Sequence, residues 1–174
     1  MLGSADDLKN QLLTLKPSDS PIEAATNFIN VVAAFFDKVQ AGPTGSPGIF
    51  TYNKAVAIPL IAALPPVPDQ SWIMPFANAI NAGAVAGTLT PGTVTLPAVW
   101  LVSVVDVLPP VITTIAVAKN LLIAALTPVT STNNPPLPLA QALYLYISAF
   151  IFLVTGIGGT VISPVPIPVP IPAQ

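Results

Sequence analysis

The chain repeats itself, and a repeat constrains a fold strongly because each copy must adopt the same local structure and find the same kind of neighbour. Leu60-Ile-Ala-Ala-Leu-Pro-Pro-Val67 returns as Leu122-Ile-Ala-Ala-Leu-Thr-Pro-Val129, with one position of eight changed. Pro75-Phe-Ala-Asn-Ala-Ile80 then matches Pro138-Leu-Ala-Gln-Ala-Leu143, and Gly92-Thr-Val-Thr-Leu-Pro97 matches Gly159-Thr-Val-Ile-Ser-Pro164. The three blocks keep their order at offsets of 62, 63 and 67 residues, so two copies with small insertions are expected.

Each copy reads as helix, proline-rich turn, second helix and extended exit. Proline has no N–H and biases its predecessor away from helical angles, so Pro65 and Pro128 end the first helix of each copy. In the first copy Trp72, Phe76 and Ile80 recur at helical spacing. In the second, Asn133 or Asn134 followed by Pro135 supplies a cap and a first-turn proline for a helix over Leu139 to Thr155. Pro109-Pro110 opens a helix running through Ile115 and Lys119 to Leu126. The valine-rich stretch from Val94 to Leu108 is compatible with strand or helix.

Ahead of the copies, Ser20, Pro21 and Glu23 form a helix-start signature with a capping box. Ala25, Phe28, Ile29, Val32, Phe35, Phe36 and Val39 follow at helical spacing until Gly42-Pro43, which predicts an amphipathic helix over about 21–41. A shorter helix capped by Ser4 places Leu8, Leu12 and Leu15 on one side. At the other end, Pro164-Val-Pro-Ile-Pro-Val-Pro-Ile-Pro172 predicts an extended, polyproline-like arm. The expected fold is thus all-α: an irregular helical bundle with an internally duplicated helix-turn-helix unit and an extended C-terminal arm. The parts are 1–48 (N-terminal helices and linker), 49–108 (first copy) and 109–174 (second copy with tail).

Charge decides what such a fold can do. Only 7% of residues are charged and 53% are hydrophobic, against roughly a quarter charged in ordinary soluble domains. Nearly all the charge precedes Asp69, and none follows Lys119. The five basic residues are lysines and the net charge is −2, which offers no basic stripe for phosphates and excludes a nucleic-acid partner. The N-terminus lacks the profile of a secretory signal. The run 139–162 is uncharged and long enough for a bilayer as a helix. Gly156, Gly158 and Gly159 cut that helix short, no Lys or Arg flanks it, and its counterpart around Asn78 and Asn81 is too polar to span, so protein rather than lipid is the expected cover.

The chain contains no histidine and no cysteine. Ser-His-Asp and Cys-His sites and metal sites of nitrogen or sulfur type are excluded with them. No phosphate-binding loop is present, and Gly156-Ile-Gly-Gly159 reads as a helix stop. Asp106 and Lys119 read as an ion pair or as groups reaching solvent, in preference to a desolvated amine nucleophile. Asp6 and Asp7 suit a helix N-terminus better than a cation site shared with Asp19.

The sequence therefore points to a non-catalytic structural subunit with no cofactor, metal or small-molecule substrate. It would pack apolar helices and its arm against copies of itself and other subunits of a large assembly, with a virus or phage virion as the natural setting. The expected assembly contacts are Trp72, Phe76, Ile80, Leu143, Phe150, Val165, Ile167, Val169 and Ile171. A small integral membrane or membrane-perturbing protein is the alternative, and a carrier of an apolar ligand a further rival.

Overall fold

The computed structural model describes residues 3–41, 45–46, 48–65, 69–89, 92–96, 100–104, 111–112, 114–132, 135–160 and 163–172. Its frame is helical, as expected. The six α-helices of the described residues are α1 (Ala5–Leu13), α2 (Pro21–Phe36), α3 (Lys54–Ala62), α4 (Ile73–Val85), α5 (Ile115–Leu126) and α6 (Pro136–Ser148). Short 3-10 helices, Gln70–Trp72 and Thr127–Ser131, stand before α4 and α6. Each helix packs on two others: α1 on α2, α2 on α3, α3 on α4, α4 on α5, α5 on α6, and α6 back on α1. The helices therefore close into a ring of three hairpins around one continuous core.

Strands leave the C-terminal ends of α2, α4 and α6. They are β1 (Gln40–Ala41), β2 (Gly45–Ser46), β3 (Gly48–Thr51), β4 (Thr88–Leu89), β5 (Gly92–Leu96), β6 (Trp100–Val104), β7 (Val111–Ile112), β8 (Ile151–Thr160) and β9 (Ser163–Pro172). They pair antiparallel in the orders β1-β3-β4, β2-β5-β6 and β7-β8-β9, and β6 runs beside β8.

The order helix, turn, helix, strands thus occurs three times. With α2 set against α4 and α6, Ile29, Ile80 and Leu143 take the same place and are all fully buried. Four residues on, Ala33, Ala84 and Ile147 are buried as well. The first hairpin lies outside the blocks matched in the sequence, and its burial matches the others at these positions but not at Thr26, Phe28 and Phe35.

Local chemistry sets the helix ends. Ser4 and Asp7 form a complete capping box, with the Asp7 N–H on Ser4 Oγ at 3.1 Å and the Ser4 N–H on Asp7 Oδ2 at 2.9 Å. The box expected at Ser20 is half made. The Glu23 N–H reaches Ser20 Oγ at 3.4 Å, but the Ser20 N–H donates to Ser18 Oγ at 3.2 Å, and Glu23 accepts from the Ser18 hydroxyl at 2.8 Å.

Several expectations are corrected. α2 stops at Phe36 and not near 41, because Asp37 caps it and its Oδ1 takes the N–H of Tyr52 at 2.8 Å, tying the helix end to β3. α5 begins at Ile115; Val111–Ile112 is strand, and Pro109-Pro110 lies outside the described residues. α6 ends at Ser148, seven residues before Thr155, and Ile151–Thr160 including the glycine cluster forms β8. The proline-rich arm does not stand apart, since Ser163–Pro172 pairs with β8 along its length. The sequence at 151–160, with three glycines, two isoleucines and two threonines, has a tertiary hydrogen-bonding partner in β9, and this outweighs the weak helical tendency of that stretch. Of the undecided stretch, Val94–Leu96 and Trp100–Val104 are strand.

Candidate functional site: the aromatic plug, the groove and the outer face

Where the strands leave the ring, three hairpins meet on aromatic rings. Phe36 of α2 lies 5.3 Å from Tyr52 in edge contact and 6.0 Å from Tyr146 of α6. Tyr146 lies 4.9 Å from Phe150, and Phe150 6.1 Å from Phe50. All five are buried. The Tyr52 hydroxyl donates to Ile80 O at 2.9 Å and that of Tyr146 to Asn81 Oδ1 at 3.2 Å, both on α4. Buried hydroxyls need such acceptors. Burial pushes both phenols far above their ordinary range, so they stay neutral donors.

Gly83 on α4 and Gly87 just beyond its end make room for this plug. Matching the second helices of the hairpins sets Gly83 against Val32 and Tyr146, and Gly87 against Phe36 and Phe150. A Cβ on Gly83 would sit 2.3 Å from Tyr52 Cζ, and one on Gly87 2.7 Å from the Phe50 ring. The volume missing from the second hairpin is supplied by Tyr52 and Phe50 of the first. Asn53 then locks the junction. Its Oδ1 accepts from Val56 N at 3.3 Å at the start of α3, while its Nδ2 donates to Ala86 O and its N–H to Gly83 O, both at 3.1 Å, at the end of α4.

Asp37 is tied to this plug through the Tyr52 N–H. Partial desolvation raises its pKa above 3.8, against the lowering effects of the Tyr52 N–H and Lys54. A folded-state pKa above the unfolded one means the ionised carboxylate disfavours folding. Stability is therefore lost as pH rises from 3.8 through the folded value, and the penalty is complete above it. Asp37→Asn keeps an oxygen for the Tyr52 N–H and removes the charge. It should melt above wild type at pH 7, with the gap closing below pH 3.8, as thermal unfolding at the two pH values would show.

At the opposite, turn end of the ring lies a groove of about 680 Å³. Phe28, Trp72 and Phe76 form its aromatic part, with Ile61, Leu64 and Leu139 beside them and Ser18 and Asp19 among its polar lining. Trp72 stacks on Phe76 at 4.2 Å and 20°. Asp69 sets that turn by accepting from the Ser71 hydroxyl at 2.5 Å, Ser71 N at 2.8 Å and Trp72 N at 3.2 Å, and these bonds, the hydroxyl's above all, hold its carboxyl below the ordinary range.

Of the expected assembly contacts, Phe76, Ile80, Leu143 and Phe150 are covered by the chain's own residues. Their helical spacing recorded core packing. Trp72 is half-buried in the groove wall. Val165, Ile167, Val169 and Ile171 fall on β9 and are paired with β8. The large apolar residues left exposed are others: Leu13 and Ile22 on the first hairpin, Ile49 on β3, Leu60, Met74 and Val85 on the second hairpin, and Val117 at 58%, Leu121 at 44%, Leu145 at 49% and Tyr144 on the third. Val117 and Leu121 stand four apart on the side of α5 away from Ala118, Leu122 and Leu126, a signal obscured in the sequence because α5 is apolar except at Lys119 and Asn120.

Among the described residues no three acidic side chains come together as a metal site. Asp6 pairs with Lys9 at 3.1 Å, and Asp7 belongs to the capping box. Lys119 is half-buried on α5, while Asp106 lies outside the described residues. No helix among the described residues is long and apolar enough to cross a membrane. Comparison with protein families, curated proteins and solved structures finds no match for this chain.

Proposed function

We propose that this chain is a non-catalytic structural subunit of a large protein assembly, with a virus or phage particle as its setting. The observation that carries this reading is the outer face of the third hairpin, where Val117, Leu121 and Leu145 are roughly half exposed. Lys119 is the sole charged side chain from Ile115 to Ser148. Large apolar residues grouped on an uncharged face mark a surface that another molecule covers. The first hairpin bears Asp6, Lys9, Glu23 and Lys38 on an otherwise similar plan. Exposed apolar residues thus stand among charges on the first hairpin, with Leu13 and Ile22, and almost without them on the third. We read the threefold element order as tandem repetition, supported by the matched burial at Ile29, Ile80 and Leu143.

The test is a surface change that leaves the core alone. Val117→Lys with Leu121→Lys should keep the circular dichroism and melting cooperativity of wild type, because exposed positions tolerate charge. It should also reduce the oligomer measured by sedimentation velocity. A wild-type chain that stays a monodisperse monomer at high concentration counts against the reading. Mass spectrometry of purified particles would locate the chain, whereas a carbonate-resistant membrane pellet would favour lipid as the cover.

A further inference from the structure

The tail alternates proline with a branched residue for nine positions, and its pairing gives that alternation a meaning. Pro164, Pro166, Pro168, Pro170 and Pro172 stand opposite Gly159, Ile157, Thr155, Leu153 and Ile151. Between them Val165, Ile167, Val169 and Ile171 stand opposite Gly158, Gly156, Val154 and Phe152. In an antiparallel ladder, alternate residues turn both N–H and C=O towards the partner and the residues between turn both away. Proline has no N–H to give. The inward set must therefore be the valines and isoleucines, and the outward set the prolines.

On the far side of β8, Phe152 and Leu153 stand opposite Ile112 and Val111 of β7. With Phe152 bonded to Ile171 of the tail, the bonds to β7 fall to Leu153, opposite Pro170. β9 is the last strand of its sheet. Its free edge thus carries proline carbonyls about 6.8 Å apart, two strand rises, with no donor from Pro164 to Pro172. A strand added there would find nothing to bond its own carbonyls. Prolines in sheets are confined to edges for this reason, and here they make a complete row.

We propose that the alternating prolines make β9 a one-sided strand, complete towards β8 and closed to any further strand, so that the chain's contacts with copies and partners form through faces and not by edge pairing. A long apolar hairpin at a chain end is otherwise a template for sheet growth. The alternation also allows the tail to slip only by an even number of residues, since an odd slip would turn every proline inward and abolish the ladder. This inference does not depend on which face of the ring meets a neighbour, so it can fail while the proposed function stands, and the reverse.

The full-length chain provides the test. Pro166→Thr, Pro168→Thr and Pro170→Thr together restore three outward donors with a residue suited to strands. A matched control, Val165→Thr, Ile167→Thr and Val169→Thr, alters the inward set and keeps every proline. Thioflavin T fluorescence and pelleting should rise several-fold for the proline variant and stay at the wild-type level for the control. Amide exchange on wild type should show slow exchange at Val165, Ile167, Val169 and Ile171. The proposal is overturned if the proline variant matches wild type, if both triple variants form fibres alike, or if those four amides exchange at the rate of a free peptide.

Discussion

Gly83→Ala should destabilise the protein by about 2 kcal/mol, although in an ordinary helix the same change stabilises. On propensity alone alanine gains roughly 1 kcal/mol over glycine inside a helix. Here the added Cβ would lie 2.3 Å from Tyr52 Cζ and from its hydroxyl oxygen. The ring cannot retreat freely, for it packs edge-on against Phe36 and its hydroxyl is held by Ile80 O. Overpacking of this kind costs roughly 3 kcal/mol, which outweighs the propensity gain. For a chain of this length the melting temperature should fall by about 4–8 °C. Combining Gly83→Ala with Tyr52→Ala should cost less than the sum of the two, because each removes the other's partner, with a coupling of about 2 kcal/mol. Additive effects would mean that Tyr52 does not fill the gap at Gly83.

Phe36→Ala should be costlier still, at about 4 kcal/mol, the range for emptying a buried aromatic site. Phe36 is fully buried and touches the rings of Tyr52 and Tyr146, so it joins the first hairpin to the third. Loss should be global, not local. In an open array of repeats a lesion melts its own repeat and its neighbour, but in a closed ring α6 packs on α1 as well as on α5. Amide exchange in α5 and α6 should therefore accelerate together with that in α2. Retained protection in α5 and α6 after loss of α2 would show that the hairpins are independent units. Leu13→Ala is the control, since Leu13 is 60% exposed and its loss should lie within about 0.5 kcal/mol.

The helices of the second and third hairpins were legible from their apolar spacing, and their turns because proline ends the α-helix ahead of Pro65 and Pro128. The first hairpin was legible as helices, but its place in the threefold element order was not. That order rests on the strands that follow each second helix, and most of their partners are distant in sequence. Gly83 and Gly87 were visible but silent. Only the structure sets Gly83 beside Tyr52, because complementarity of volume joins residues far apart in sequence.

The candidate contact surface was misread for one physical reason. Spacing identifies a buried stripe, but in a chain so poor in charge the opposite stripe is apolar too. Phe76, Ile80, Leu143 and Phe150 therefore resembled contact residues, while Val117, Leu121 and Leu145 did not. Sequence by itself determined the helical frame, the turn positions, the lack of histidine and cysteine chemistry, and the excess of apolar surface, all of which follow from local backbone limits and side-chain inventory. Tertiary structure alone decided that α6 returns to α1 to close a ring, that helix gives way to strand at Ile151, and that the prolines of the tail line an edge. Those outcomes depend on partners distant in the chain, and a hydrogen bond or a filled cavity exists only once both partners are in place.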